Sequence, residues 1–249
     1  MHARGACLAL VVVRSTVFAL VQIILTPIFA IAALLSFPFD ALARYRIITL
    51  WSRLIIAAAK SICGVRYRVE GLHHLPATPA IIVSKHQSAW ETLAFQVIFP
   101  PQVWVLKKYL LRIPFFGWGL AMMNPIAIDR GSGLRALRQM REQGSQRLRD
   151  GFWIVIFPEG TRVAPGDKAR YQIGGAWLAV ETGTPIVPVA LNSGELWGRR
   201  AFLKYPGEIT VKIGAPIVPA GLKAEALNRG IEEWIDSAMR TISGTARDG

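Results

Sequence analysis

The sequence predicts an α/β fold, a mixed central sheet flanked by helices, preceded by an N-terminal helical motif that anchors the chain to a membrane. Three observations carry this expectation. Ser15–Phe39 contains no charged residue. From about Cys63 onward, short apolar runs alternate with segments of helical periodicity, the pattern of a layered sheet-and-helix domain. Two of those runs stop abruptly at polar, turn-forming residues, Ser84 and Pro158.

The uncharged segment, about 25 residues, would reach roughly 37 Å as a helix, enough to cross the hydrocarbon core of a bilayer. Pro27 lies in its middle and is expected to kink the helix or break it in two. Arg4 and Arg14 precede it and Arg44 and Arg46 follow it, so flanking charge sets no orientation. Residues 41–59 interleave Leu42, Ile47, Ile48, Trp51, Leu54 and Ile55 with Arg44, Arg46 and Arg53. That pattern suits an amphipathic helix in the interface, its arginines reaching toward phosphates. Arg14 and the length of the apolar run argue against a cleaved signal peptide. Residues 1–62 are therefore expected to form the anchor, spanning or interfacial, and 63–249 the α/β domain.

In that domain strands are expected at 66–70, 80–84, 103–106, 126–128, 152–157, 186–190 and 208–213. Helices are expected at 88–97, 133–149, 174–182 and 225–243. In the second of these, Leu134, Leu137, Met140 and Leu148 recur near helical spacing while Arg135, Arg138 and Arg141 hold the other face.

Composition narrows the function classes. The chain has 249 residues, 52% of them hydrophobic, with 29 Lys+Arg against 16 Asp+Glu and a net charge of +13. An excess of that size serves nucleic acid, an anionic membrane surface or a phosphorylated substrate. The basic residues are scattered beside apolar helices rather than gathered in a dense run, which disfavours nucleic acid and favours lipid headgroups. Cys7 and Cys63 belong to no metal-ligand pair, and no metal site is expected.

Two segments carry chemistry. The run Ala80–Val83 reads as a buried strand, so His86 falls just past its C-terminal end, where open α/β sheets place ligands. Glu91 follows five positions later. In one continuous helix the two side chains would diverge by about 140°. They can meet only if His86 lies in the loop and Glu91 in the first helical turn, with Ser88 as N-cap. Such a pair is a base and its orienting carboxylate without a nucleophile of its own, suited to drawing a proton from a substrate hydroxyl. The chain has no Gly-x-Ser-x-Gly elbow and no His-Glu-x-x-His helix, so serine hydrolase and zinc protease chemistry of those types are disfavoured. The second segment, Phe157-Pro158-Glu159-Gly160-Thr161-Arg162, again ends an apolar run in a tight turn. Arg162 offers a planar fork for phosphate, and Glu159 can orient that arginine or bind a hydroxyl. Each segment alone is equally compatible with a surface ion pair at a turn.

Together, His-x-x-x-x-acid and, about 70 residues later, Phe-Pro-Glu-Gly-Thr-Arg resemble the glycerolipid acyltransferase family, in particular its bacterial 1-acylglycerol-3-phosphate acyltransferases. Lys107–Gly117 matches the family's second block, and Ile128-Asp129-Arg130 and Ile186–Ala190 match later ones. The resemblance covers most of the chain after about Tyr67. It implies His86 as general base and Glu91 as its orienting acid. It puts Glu159, Gly160, Thr161 and Arg162 at the acceptor's glycerol phosphate, with Lys107 and Arg130 as further phosphate contacts.

The resemblance also implies acyl transfer from an acyl carrier protein or coenzyme A thioester to a lipid hydroxyl, with no cofactor. It implies membrane lipids as partners and a site on the cytoplasmic face of the inner membrane. Glycerol-3-phosphate, a lyso-ornithine lipid or another lysophospholipid is an alternative acceptor. The aromatic stretch Phe115–Trp118 is a candidate wall for the acyl chain, with ordinary core packing as the other reading. Two departures stand out. The usual acid is Asp, one methylene shorter than Glu91. Where many relatives carry Phe-Lys-x-Gly, this chain has Tyr171-Gln172-Ile173-Gly174, leaving Lys168 or Arg170 to substitute for that lysine.

Overall fold

The computed structural model describes residues 2–113, 116–129 and 133–244. It begins with two long helices, α1 (His2–Leu35) and α2 (Ala41–Cys63). The helix α1 continues through Pro27 rather than breaking there. Asp40 starts α2, its carboxylate accepting the N–H groups of Leu42 and Ala43 at 2.9 Å each; Gly64, at φ +71°, ends it. One stripe of α2 is buried, running through Tyr45, Ile48, Ile55, Ile56 and Ala59, while Arg46, Arg53 and Lys60 face out. By contrast, α1 is mostly exposed and apolar. Residues 8–35 are long and apolar enough to cross a membrane, and 11% of their most apolar stretch is buried.

The α/β domain follows as β1 (Val65–Glu70), β2 (Ile81–Ser84), α3 (Trp90–Ile98), β3 (Gln102–Lys107), α4 (Phe116–Ala121), β4 (Ile126–Ile128), α5 (Leu134–Arg149), β5 (Trp153–Ile156), α6 (Gly174–Thr182), β6 (Ile186–Leu191), β7 (Gly207–Ile213) and α7 (Ala224–Ile242). All seven strands join one sheet in the order β1-β7-β6-β2-β5-β3-β4. Only β6 and β7 pair antiparallel; the other pairs are parallel, so the sheet is mixed. Every residue of β2, β5 and β6 is buried, as continuous apolar strands covered on both faces should be. The expected strands and domain helices appear within a few residues of their positions; the short helix α4 has no counterpart in the sequence reading.

Close approach of glycine backbone to neighbouring side chains seats the covering helices against each other and against the sheet. A Cβ on Gly144 of α5 would lie 3.1 Å from Leu178 of α6, and one on Gly175 of α6 would lie 3.3 Å from Val83 of β2. The register Val83↔Ile156 sets the C-terminal ends of β2 and β5 side by side. Because β3 is parallel to β5, its end at Lys107 lies on the same rim. The loops leaving β2 and β5 are therefore neighbours although 73 positions separate His86 from Glu159.

Candidate active site

The first loop begins where Lys85 leaves β2, its N–H donating to Val189 O of β6 at 3.1 Å. His86 lies in that loop and Glu91 in the first turn of α3. Ser88 Oγ accepts the Trp90 N–H at 3.0 Å, and the Glu91 carboxylate reaches back to the Ser88 N–H at 3.0 Å. The helix is capped by Ala89, one residue later than the expected Ser88, but these reciprocal bonds still satisfy donors that a helix start leaves open. The same carboxylate stands 3.4 Å from His86 Nδ1. That separation is ion-pair contact rather than an aligned hydrogen bond, and such contacts commonly tighten once substrate is bound. Glu91 has no exposed side-chain surface, whereas the His86 ring keeps 12%.

On its other side the imidazole is held by an aromatic face. Phe157 stacks on it with centroids 3.9 Å apart and planes 12° apart. Phe157 lies one residue past β5 rather than within it. The second loop then grips the His86 backbone at both ends: Glu159 Oε2 accepts the His86 N–H at 2.8 Å, and the Val163 N–H donates to His86 O at 2.8 Å. The remaining oxygen of Glu159 is taken by the Lys85 ammonium, in an ion pair buried at both ends. Burial pushes the Glu159 carboxyl above its ordinary value, and the hydrogen bond and charge of Lys85 pull it back down.

Glu159 thus faces inward, and its carboxylate is occupied within the fold. Gly160 turns the chain at φ +69°, a conformation that disfavours any side chain. Thr161 is exposed and Arg162 half-buried, with no hydrogen-bond or ion-pair partner for Arg162 among the described residues. Lys107 is exposed at the end of β3, its ammonium 5.9 Å from the Tyr109 ring centroid. Arg130 lies outside the described residues.

A cleft of about 350 Å³ opens beside this turn, running from Glu159–Thr161 past Phe157 to Leu137, Met140 and Ile173. Trp118, half exposed, is not part of its lining, and Phe115 lies outside the described residues. Of the stretch that departs from the family pattern, Gln172 lines the cleft, and its N–H donates to Pro158 O at 2.8 Å. Tyr171 is buried, which raises its phenol above the ordinary value. Lys168 and Arg170 are exposed.

A family model described as Acyltransferase matches residues 66–192. The chain is 43% identical over 219 residues to the 1-acyl-sn-glycerol-3-phosphate acyltransferase of Pseudomonas aeruginosa, covering 86% of this chain and 84% of that protein. The chain belongs to the acyltransferase family. It is also 31% identical over 198 residues to the 1-acyl-sn-glycerol-3-phosphate acyltransferase alpha of Mus musculus, covering 77% of this chain and 70% of that one. Its fold matches the crystal structure of the 1-acyl-sn-glycerophosphate (LPA) acyltransferase PlsC from Thermotoga maritima with a TM-score of 0.74. The match covers 97% of this chain and 98% of that chain at 23% identity.

The sequence reading passed over three parts of this acyltransferase's site. Lys85 was given no role beside the polar switch at Ser84, yet it is the buried partner of Glu159. The ring of Phe157 read as the end of a strand, yet it stacks on the His86 imidazole. The turn after β6 drew no reading, yet Ser193 donates to Glu91 Oε1 and the Gly194 N–H donates to Gln87 Oε1 at 3.0 Å. A signal for the first was available: a lysine directly after a strand buried along its whole length must find an anion or reach water.

Proposed function

We propose that the chain transfers a fatty acyl group from an acyl carrier protein or coenzyme A thioester to the sn-2 hydroxyl of 1-acylglycerol-3-phosphate, giving phosphatidic acid. The observation that carries this reading is the buried contact between Glu91 and His86 Nδ1, which leaves Nε2 as the imidazole's free nitrogen. With its proton on Nδ1, facing Glu91, the ring presents a lone pair at Nε2. The acceptor hydroxyl gives its proton to Nε2 as its oxygen attacks the thioester carbonyl. Glu91 stabilises the imidazolium that forms. Collapse of the tetrahedral intermediate expels the thiolate, which takes the proton back from His86. Atoms and charge balance without metal or redox chemistry.

In this reading Arg162 and Lys107 hold the acceptor phosphate, supported by their lack of an anionic partner within the described fold. Gly160 and Thr161 line the approach to them. Glu159 acts on the acceptor indirectly, by fixing the peptide that carries the base. The apolar cleft beside Phe157 has the lining an acyl chain requires. Helix α1, whose exposed side carries Leu20, Ile23, Ile24, Ile28 and Ile31, seats the domain on the cytoplasmic face of the inner membrane, where a lipid acceptor meets a soluble thioester.

Purified protein offered 1-acylglycerol-3-phosphate, glycerol-3-phosphate, lyso-ornithine lipid and other lysophospholipids, each with both thioester donors, tests this directly. Phosphatidic acid as the main product supports the reading. Faster turnover of an acceptor without a phosphomonoester overturns it.

A further inference from the structure

The Glu91 carboxylate is held by more than its own loop. Its Oε1 accepts the N–H groups of Gln87 and Ser88 at 3.0 Å each, and Oε2 accepts the Ser88 N–H at 3.0 Å while standing 3.4 Å from His86 Nδ1. All of these groups lie in the segment that carries His86, so they move with it. Among the described residues, the one donor from elsewhere is the Ser193 hydroxyl, which donates to Oε1. Ser193 and Glu91 are both fully buried.

The turn carrying Ser193 is fixed independently of the His86 loop. Asn192 Oδ1 accepts the Thr210 N–H of β7 at 2.9 Å, and Asn192 Nδ2 donates to Ile242 O of α7 at 2.9 Å. Ser193 O accepts the N–H groups of Leu196 and Trp197 at 3.2 and 2.9 Å. At Gly194 a Cβ would lie 2.9 Å from both Gln87 Cβ and Pro165 Cγ, so the turn packs tightly against the first loop.

We propose that Ser193 is a positioning residue for acyl transfer. Its hydroxyl grips Oε1 and so fixes the rotation of the Glu91 carboxylate, leaving Oε2 to face His86 Nδ1. The proposal rests on the reading of His86 and Glu91 as base and orienting acid. A carboxylate on a longer side chain has one more rotatable bond, and a donor anchored to the sheet removes that freedom before substrate arrives.

The test is steady-state kinetics of the purified full chain. Losing one hydrogen bond to a charged group should lower kcat about tenfold in Ser193→Ala, with both KM values and the unfolding midpoint near those of the unmodified protein. Ser193→Thr, which restores a hydroxyl on the same carbon, should exceed the alanine variant in kcat. In a Glu91→Asp background the shorter carboxylate withdraws from Ser193, so adding Ser193→Ala should cost less than about twofold. Unchanged kcat in Ser193→Ala, a loss confined to KM, or a full loss persisting in the Glu91→Asp background would each overturn the proposal. His86→Ala and Glu91→Gln run beside these variants separate the two levels. If they retain turnover, the base-and-acid reading fails. If they lose it while Ser193→Ala does not, only the role of Ser193 fails.

Discussion

Replacing Lys85 by Met tests how the two loops are locked together. The Lys85 side chain is 9% exposed and that of Glu159 not at all, so the pair belongs to the buried class, where removing one partner strands the other. The cost in that class is about 3–5 kcal/mol. For a chain of this size the lower end alone corresponds to a fall in Tm of roughly 6–12 °C. The loss should also depend on pH. Burial already raises the Glu159 carboxyl above its ordinary 4.5, and the hydrogen bond and charge of Lys85 oppose that rise. Removing Lys85 raises it further. Because the folded value then lies well above the unfolded one, the native state favours the protonated acid. The variant is therefore least impaired below the ordinary carboxyl value of 4.5 and loses stability as pH climbs through the raised folded value. Unfolding of the detergent-solubilised protein, followed by near-ultraviolet circular dichroism at several pH values, measures both effects. Adding Glu159→Gln removes the stranded charge while an amide oxygen still accepts the His86 N–H, and should recover more than half of the loss. A pH-independent deficit, or a double variant no more stable than the single one, would refute the reasoning.

Three further outcomes follow from the site. Arg162→Ala and Lys107→Ala should raise the acceptor KM about tenfold or more with little change in the thioester KM; steady-state titration of each substrate decides, and movement of the thioester term alone would remove the phosphate role. Gly160→Ala forces a side chain into a backbone at φ +69° and should cost about 1–2 kcal/mol by thermal unfolding. Filling the cleft with Ala136→Phe should shift donor preference toward shorter acyl chains, measured by competition between thioesters of different length; an unchanged preference would place the acyl chain elsewhere.

The architecture was legible because the strands that build it are buried on both faces. Ile81–Val83, Trp153–Ile156 and Ile186–Leu191 are unbroken apolar runs, and polarity returns within a few residues of where each strand ends. Helix α4 escaped because Phe116–Ala121 is short and apolar throughout, with no periodicity to read. Pro27 was expected to interrupt α1; a proline in a long helix removes one backbone donor, and the intact turns on either side carry the helix through it. The His86–Glu91 contact could be foreseen only as a condition, a loop residue meeting a first-turn residue. The bonds from the Ser88 N–H to the Glu91 carboxylate and from the Trp90 N–H to Ser88 Oγ are the local reason that the condition is met. Lys85–Glu159 and Ser193–Glu91 were out of reach of local reasoning. Their partners lie 74 and 102 positions apart, and they meet only because β2 runs between β5 and β6.

The central claim is that His86 is the base for acyl transfer, and its most direct test is the turnover of His86→Ala on 1-acylglycerol-3-phosphate with a thioester donor. The account predicts loss of phosphatidic acid formation by at least about a hundredfold, with membrane association and thermal unfolding close to those of the unmodified protein. Turnover within a few-fold of the unmodified protein would contradict it.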